Sequence, residues 1–275
     1  MKYKIICDSS CDLNSDFIKD PLVGFEIIPL FIHVDKKEFL DDNDLNVLDM
    51  LKAMHEYKGK STTSCPAPMK FLESYDAEYN FCVTITKKLS GTYNSAHLAS
   101  TMIEENKKVF LIDSKGTSGS LALITLKLYE LIKKGLEYET ICEEIIKYRD
   151  SINLFFVLDS FDNLVKNGRM SKLAAKIATL MVIRPICIAE DGEIKVYKKV
   201  RTRNTAIKSM INEIINTNVD FENRECIITH ALDIECATNI KRMLEEMIKF
   251  KKITILPMKG LCSFYALEKG IIVTF

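Results

Sequence analysis

An apolar run over residues 79–85 leads into Leu89-Ser90-Gly91-Thr92-Tyr93-Asn94-Ser95-Ala96, after which Ala99, Met102 and Ile103 keep a helical spacing. No other stretch limits the fold as much. A buried strand, a short Ser/Gly/Thr turn and a helix are the parts from which an α/β sheet builds an anion site. Hydroxyls and free backbone N–H groups converge there at a helix N-terminus, where the helix dipole favours negative charge. Alone, such a Ser or Thr simply caps its helix, so the rest of the chain decides between cap and site.

The same order recurs through the first half. Residues 4–7 read as an apolar strand ending in Asp8-Ser9-Ser10-Cys11-Asp12-Leu13. A second strand is expected over 25–34, where Pro29 marks a break or an edge position, and a helix over 45–57. Thr63 and Ser64 fall in a hydroxyl-rich turn whose Pro66 and Pro68 suit the opening of the next helix. Residues 109–112 form another buried strand, ending in Asp113-Ser114 before a Gly/Ser/Thr turn. A long apolar helix over 121–134, stopped by Gly135, and an amphipathic one over 139–149 follow. This alternation predicts a Rossmann-like parallel sheet with hydroxyl-rich turns at its carboxyl ends, where ligands of such sheets bind.

The second half differs. Strands are expected at 154–158, 226–229, 253–256 and 270–275, and helices at 172–182, 205–215 and 235–248. A hairpin turns at Asp191-Gly192. That pattern predicts a smaller α/β domain with a mixed or antiparallel sheet. The expected domains are 1–155 and 156–275.

Candidate chemistry is narrow. Lys+Arg and Asp+Glu both number 38, so no global charge points to nucleic acid. Nine cysteines without framework spacing, after a start that does not read as a signal peptide, imply reduced thiols and a cytoplasmic protein. No apolar run approaches the roughly 20 residues of a membrane span. His33, His55, His97 and His230 lie in separate elements, and no nucleophile elbow, Walker loop or dinucleotide fingerprint is present. Asp8 and Asp113 sit at strand ends, where a carboxylate binds a metal or, more often, holds a turn. No acid, base and nucleophile assemble. The pattern instead favours binding. Thr63-Ser64 and Ser90-Gly91-Thr92, with Asn94 in the same stretch, offer hydroxyl and amide donors to a carboxylate or phosphate.

Asp8-Ser9-Ser10-Cys11-Asp12-Leu13, Thr63-Ser64-Cys65-Pro66, Leu89 to Ala96, Asp113-Ser114, Gly168-Arg169-Met170-Ser171-Lys172, Arg184-Pro185-Ile186 and Lys199-Val200-Arg201-Thr202 together resemble the signature stretches of the DegV family. The resemblance implies a fatty-acid-binding protein that is not itself an enzyme. It implies a Rossmann-like N-terminal domain, a smaller α/β domain, and an acyl chain in an internal tunnel. Its carboxylate would meet Thr63, with Ser64 beside it, and Ser90, with Gly91 and Thr92 as amide-bearing neighbours. No cofactor is implied beyond the bound acid. The partner would be an ATP-dependent fatty acid kinase that makes an acyl phosphate for phospholipid synthesis. The basic cluster Lys195, Lys198, Lys199, Arg201 and Arg203 would dock it.

One stretch departs from the family. Its usual Gly-Thr-His-x-Gly-Pro-Gly turn is replaced by Gly260-Leu261-Cys262-Ser263-Phe264-Tyr265-Ala266-Leu267-Glu268-Lys269-Gly270, which lacks the His and the Pro. Tyr265 is expected in the His place, where its hydroxyl can donate to a carboxylate without imidazolium charge. Glu268 would repel an anion if it pointed inward. Two alternatives stay open: a metal- or nucleotide-dependent enzyme acting on a phosphorylated small molecule, and a degenerate member that has lost lipid binding.

Overall fold

The computed structural model describes residues 1–170 and 183–275, so the helix expected over 172–182 lies outside the described residues. Strand β1 (Tyr3–Asp8) lies between β2 (Val23–Ile28) and β6 (Tyr79–Thr84), all parallel. Pro29 lacks an N–H for the ladder, and there the chain leaves this sheet. It enters an antiparallel one of order β4-β3-β5, made of β3 (Phe31–Val34), β4 (Lys37–Leu40) and β5 (Thr62–Ser64). The break expected at Pro29 is therefore a change of sheet. Helix α1 (Val47–Glu56) starts at Asn46, whose side chain accepts from the N–H groups of Leu48 and Asp49.

Helix α2 (Pro68–Ser74) opens on a proline, and α3 (Thr92–Ser100) follows the Ser90-Gly91 turn. Strand β7 (Lys108–Asp113) completes a parallel sheet of order β2-β1-β6-β7. Helix α4 (Gly119–Lys133) buries Leu121, Leu123, Ile124 and Leu128 against it and packs on α5 (Tyr138–Ser151). This is the Rossmann-like unit.

The third sheet, which belongs to the second unit, is mixed, in the order β10-β9-β8-β13-β11-β12. It contains β8 (Leu154–Val157), β9 (Arg184–Glu190), β10 (Glu193–Val200), β11 (Glu225–His230), β12 (Lys252–Pro257) and β13 (Ile271–Thr274). Among its described strands, β11 and β12 alone pair in parallel. The β9–β10 hairpin turns through Asp191 and Gly192 with φ of 48° and 82°, the left-handed pair that an Asp-Gly hairpin turn needs. Among the described residues, the helices besides the short α6 (Asp162–Lys166) are α7 (Arg203–Ile215), α8 (Ile234–Met247) and α9 (Gly260–Ala266). Helices α7 and α8 cover one face of the sheet through Met210, Ile214, Ile240 and Leu244.

Two elements differ from the expected turns. Thr62–Ser64 form a strand, too short for periodicity to reveal, held by pairing with β3. Residues 260–266 form a helix whose capping groups come from far up the chain.

Candidate functional site

Where the two units meet, a cavity encloses about 860 Å³ of empty space, the solvent at its opening included. Leu154, Phe156 and Ile272 from the mixed sheet line it, together with Leu158, Leu164 and Ala266. The wall is thus mainly apolar, and a few polar groups interrupt it.

Those groups come from separate elements. Thr63 on β5, Ser90 in the turn before α3 and Tyr265 on α9 all face the cavity, and all three are half-buried. The Thr63 hydroxyl lies 2.9 Å from that of Tyr265. Ser90 Oγ lies 2.9 Å from Thr92 Oγ1 and accepts from the Thr92 N–H at 3.3 Å. Cys65 Sγ is 3.7 Å from Ser95 Oγ, so the segments that carry Thr63 and Ser90 are neighbours. Hydroxyls can turn to donate toward an anion, and here each pair holds its own members in place.

Arg169 lines the same cavity and was not singled out from the sequence as a site residue. Its Nε donates to the Leu89 carbonyl at 3.0 Å and its Nη1 to the Asn167 carbonyl, which brings the guanidinium beside Ser90. Gly168 turns the chain into this position with φ +70°. The signal in the sequence was the Gly168-Arg169 pair, which carried a family resemblance but no assigned role.

The remaining expected positions lie outside the cavity wall. Ser64 follows Thr63 along β5 and therefore faces the other way, where its Oγ is 2.9 Å from His33 Nε2. Gly91 and Asn94 are exposed, and Thr92 is buried beneath Ser90. Glu268 is exposed and sits 3.5 Å from His55, away from the cavity. In the basic cluster, Arg203 is held by Asp159 at 3.1 Å and Asp233 at 2.7 Å, while Lys195 and Lys198 pair with Glu193 and Glu213. Lys199 and Arg201 are exposed.

Around the cavity, buried carboxylates hold backbone. Asp8 accepts from the Ile85 N–H at 2.6 Å and from Ser10. Ser9 Oγ accepts from the Leu30 N–H at 3.1 Å, and Leu30 and Ile85 both line the cavity. Asp12 accepts from the Lys259 N–H at 2.8 Å and from Ser118 Oγ. Asp41 accepts from the N–H groups of Gly260 at 2.7 Å and Leu261 at 3.0 Å. Burial pushes Asp8 up to about 6 and Asp12 to about 7, and it raises Asp41 as well, against the lowering effect of these hydrogen bonds. Asp113 is likewise spent on a turn, accepting from the N–H groups of Lys87 and Lys115. Among the described residues, no group of three or more His, Cys, Asp or Glu side chains could hold a metal ion.

The whole chain is similar to known proteins. The model of the DegV family matches residues 2–273. A DegV domain-containing protein of Streptococcus pyogenes serotype M1 is 36% identical over 280 residues, covering 100% of this chain and 99% of the relative. The crystal structure of the Streptococcus pneumoniae fatty acid kinase B3 protein, loaded with linoleic acid, aligns with TM-score 0.93 and 34% identity. That alignment covers 100% of this chain and 99% of the other. A DegV family protein of Ruminococcus gnavus, solved with vaccenic acid, aligns with TM-score 0.92 and 31% identity over the same shares.

Proposed function

The chain belongs to the DegV family, and from that premise we propose that it carries a long-chain fatty acid in the cavity between its two units. The observation that carries this reading is one apolar cavity with Thr63, Ser90, Tyr265 and Arg169 on its wall. The acyl tail lies against Phe156, Leu158, Leu164 and Ile272, gaining roughly 0.8 kcal/mol for each buried CH₂. The carboxylate takes hydrogen bonds from the Ser90, Thr63 and Tyr265 hydroxyls and charge compensation from Arg169. The tail thus supplies most of the affinity, and the polar wall fixes which end of the ligand stays near solvent. The linoleic and vaccenic acids bound by the two related structures support this assignment.

Residues 1–155 then supply the head-group turns with Thr63 and Ser90, and residues 156–275 close the acyl pocket and add Tyr265 and Arg169 to the head-group end. The protein is a cytoplasmic carrier rather than an enzyme, without a cofactor. It hands the acid to a separate ATP-dependent kinase for acyl-phosphate formation in phospholipid synthesis. Lys199 and Arg201, both exposed, supply the charge for that docking, because Arg203 is already neutralised by Asp159 and Asp233.

Mass spectrometry of a denaturing extract of the purified protein tests the carrier reading. A long-chain fatty acid in near-stoichiometric amount is expected. Repeated absence of any acyl chain, even after incubation with oleate, rules the reading out.

A further inference from the structure

Helix α9 carries Tyr265, and three of its other residues, Leu261, Cys262 and Ala266, line the cavity. It has no cap of its own. Lys259, which precedes it, makes no side-chain cap bond, and the helix is only seven residues long. Helices that short are marginal in water, so something else must fix its start. That something is a pair of carboxylates from the first unit. Asp41 bonds the Gly260 and Leu261 N–H groups, and Asp12 bonds the Lys259 N–H. These partners are 219, 220 and 247 residues apart in sequence. The approach is close enough that a Cβ on Gly260 would lie 2.6 Å from Asp41 Oδ1 and 2.3 Å from Leu45. Asp12 also takes a bond from Ser118 Oγ, which is 2.7 Å from Thr229 Oγ1 on β11, so the same carboxylate is braced against the second unit.

We propose that Asp41 and Asp12 are positioning residues for head-group recognition: by clamping the start of α9 they set the place of Tyr265 and hence the Tyr265–Thr63 pair. Neither carboxylate lines the cavity, so neither touches the ligand. One turn of helix separates the clamped N–H of Leu261 from Tyr265. Loss of the clamp therefore moves the phenol hydroxyl relative to Thr63, which stays fixed on β5. The Ser90–Thr92 pair belongs to a different turn and is left as it was. The clamp acts on the carboxylate end of the ligand and leaves the tail's contacts with the mixed sheet unchanged.

This inference rests on the fatty-acid reading, and its test separates the two. Oleate and oleyl alcohol, which lacks the carboxylate, are titrated into the full-length wild type, Asp41→Asn, Tyr265→Phe and the double variant. Asp12→Asn provides the second route, should Asp41→Asn fold poorly. Asp41→Asn and Tyr265→Phe are each expected to weaken oleate about tenfold, and the double variant no further than the weaker of the two. Oleyl alcohol affinity is expected to change less than twofold. Effects that multiply in the double variant, or an equal loss for both ligands, overturn the positioning role. Amide hydrogen exchange over residues 259–265 in the ligand-free protein decides the clamp independently: tenfold faster exchange in Asp41→Asn is expected, and unchanged exchange overturns it. A wild type that takes up neither ligand refutes the carrier reading instead, while the exchange result still stands for the clamp.

Discussion

The two hydroxyl pairs on the cavity wall are built in opposite ways. Ser90 and Thr92 are two residues apart, and their pair is closed by the turn that starts α3. Thr63 and Tyr265 are 202 residues apart and meet only because β5 pairs with β3 and α9 is clamped by Asp41 and Asp12. The local pair exists as soon as its turn does. The distant pair reports whether the two units are correctly seated. A ligand that needs both therefore reads local chemistry and global assembly at once.

Breaking each pair separately tests this contrast. Ser90→Ala should cost the most, because a hydroxyl bonded to a charged group contributes about 1.5–3 kcal/mol, or roughly 10–100-fold in affinity. Oleate titration is expected to show that loss, with a melting temperature within about 3 °C of wild type. Tyr265→Phe should weaken oleate by about tenfold and also lower the melting temperature by a few degrees, because Thr63 loses its cross-unit partner. If Ser90→Ala destabilises the protein more than Tyr265→Phe does, the distinction between the pairs fails.

A third measurement asks whether the clamp behind the distant pair titrates. The folded pKa of Asp12 is raised by burial from 3.8 to about 7. Its protonated form is therefore favoured in the folded state. That contribution to stability is complete below pH 4 and is lost as pH rises through about 7. Asn at this position cannot titrate. The melting temperature of wild type minus that of Asp12→Asn should thus fall between pH 4 and pH 7, by on the order of 5 °C, when followed by thermal denaturation across buffers. A constant difference would mean that Asp12 does not titrate in this range. The smallest effect is expected from Ser64→Ala: its hydroxyl faces His33 and not the cavity, so oleate affinity should stay within twofold. A larger loss would place the head group on the wrong face of β5.

Much of the first unit was legible because its information is local. Apolar runs ending in Asp8 or Asp113 and the Leu89–Ala96 stretch each specify a strand end and a turn within a few residues. Asp191-Gly192 likewise marked its hairpin. The parts that escaped are those whose stability is supplied from elsewhere. The three residues of β5 have no period to read. Helix α9 lacks a local cap, so its segment read as a turn. Arg169 becomes part of the wall only when the end of α6 meets the Leu89 carbonyl. The face of β5 also decided which neighbour counts: Thr63 looks into the cavity and Ser64 looks out, a choice that depends on the pairing register with β3.

The clamp on α9 also orders events in time. Asp12 and Asp41 leave the ribosome more than two hundred residues before the N–H groups they hold, at a synthesis rate of roughly 5–20 residues per second. For that interval both carboxylates are without these partners, and the first unit has an unfinished surface where α9 will sit. The closing contact is of very long range, the kind whose loop entropy makes it late to form. A chain shortened before Lys259 would keep both acids and lose the backbone donors of α9, and such a fragment is a natural substrate for chaperones and proteases.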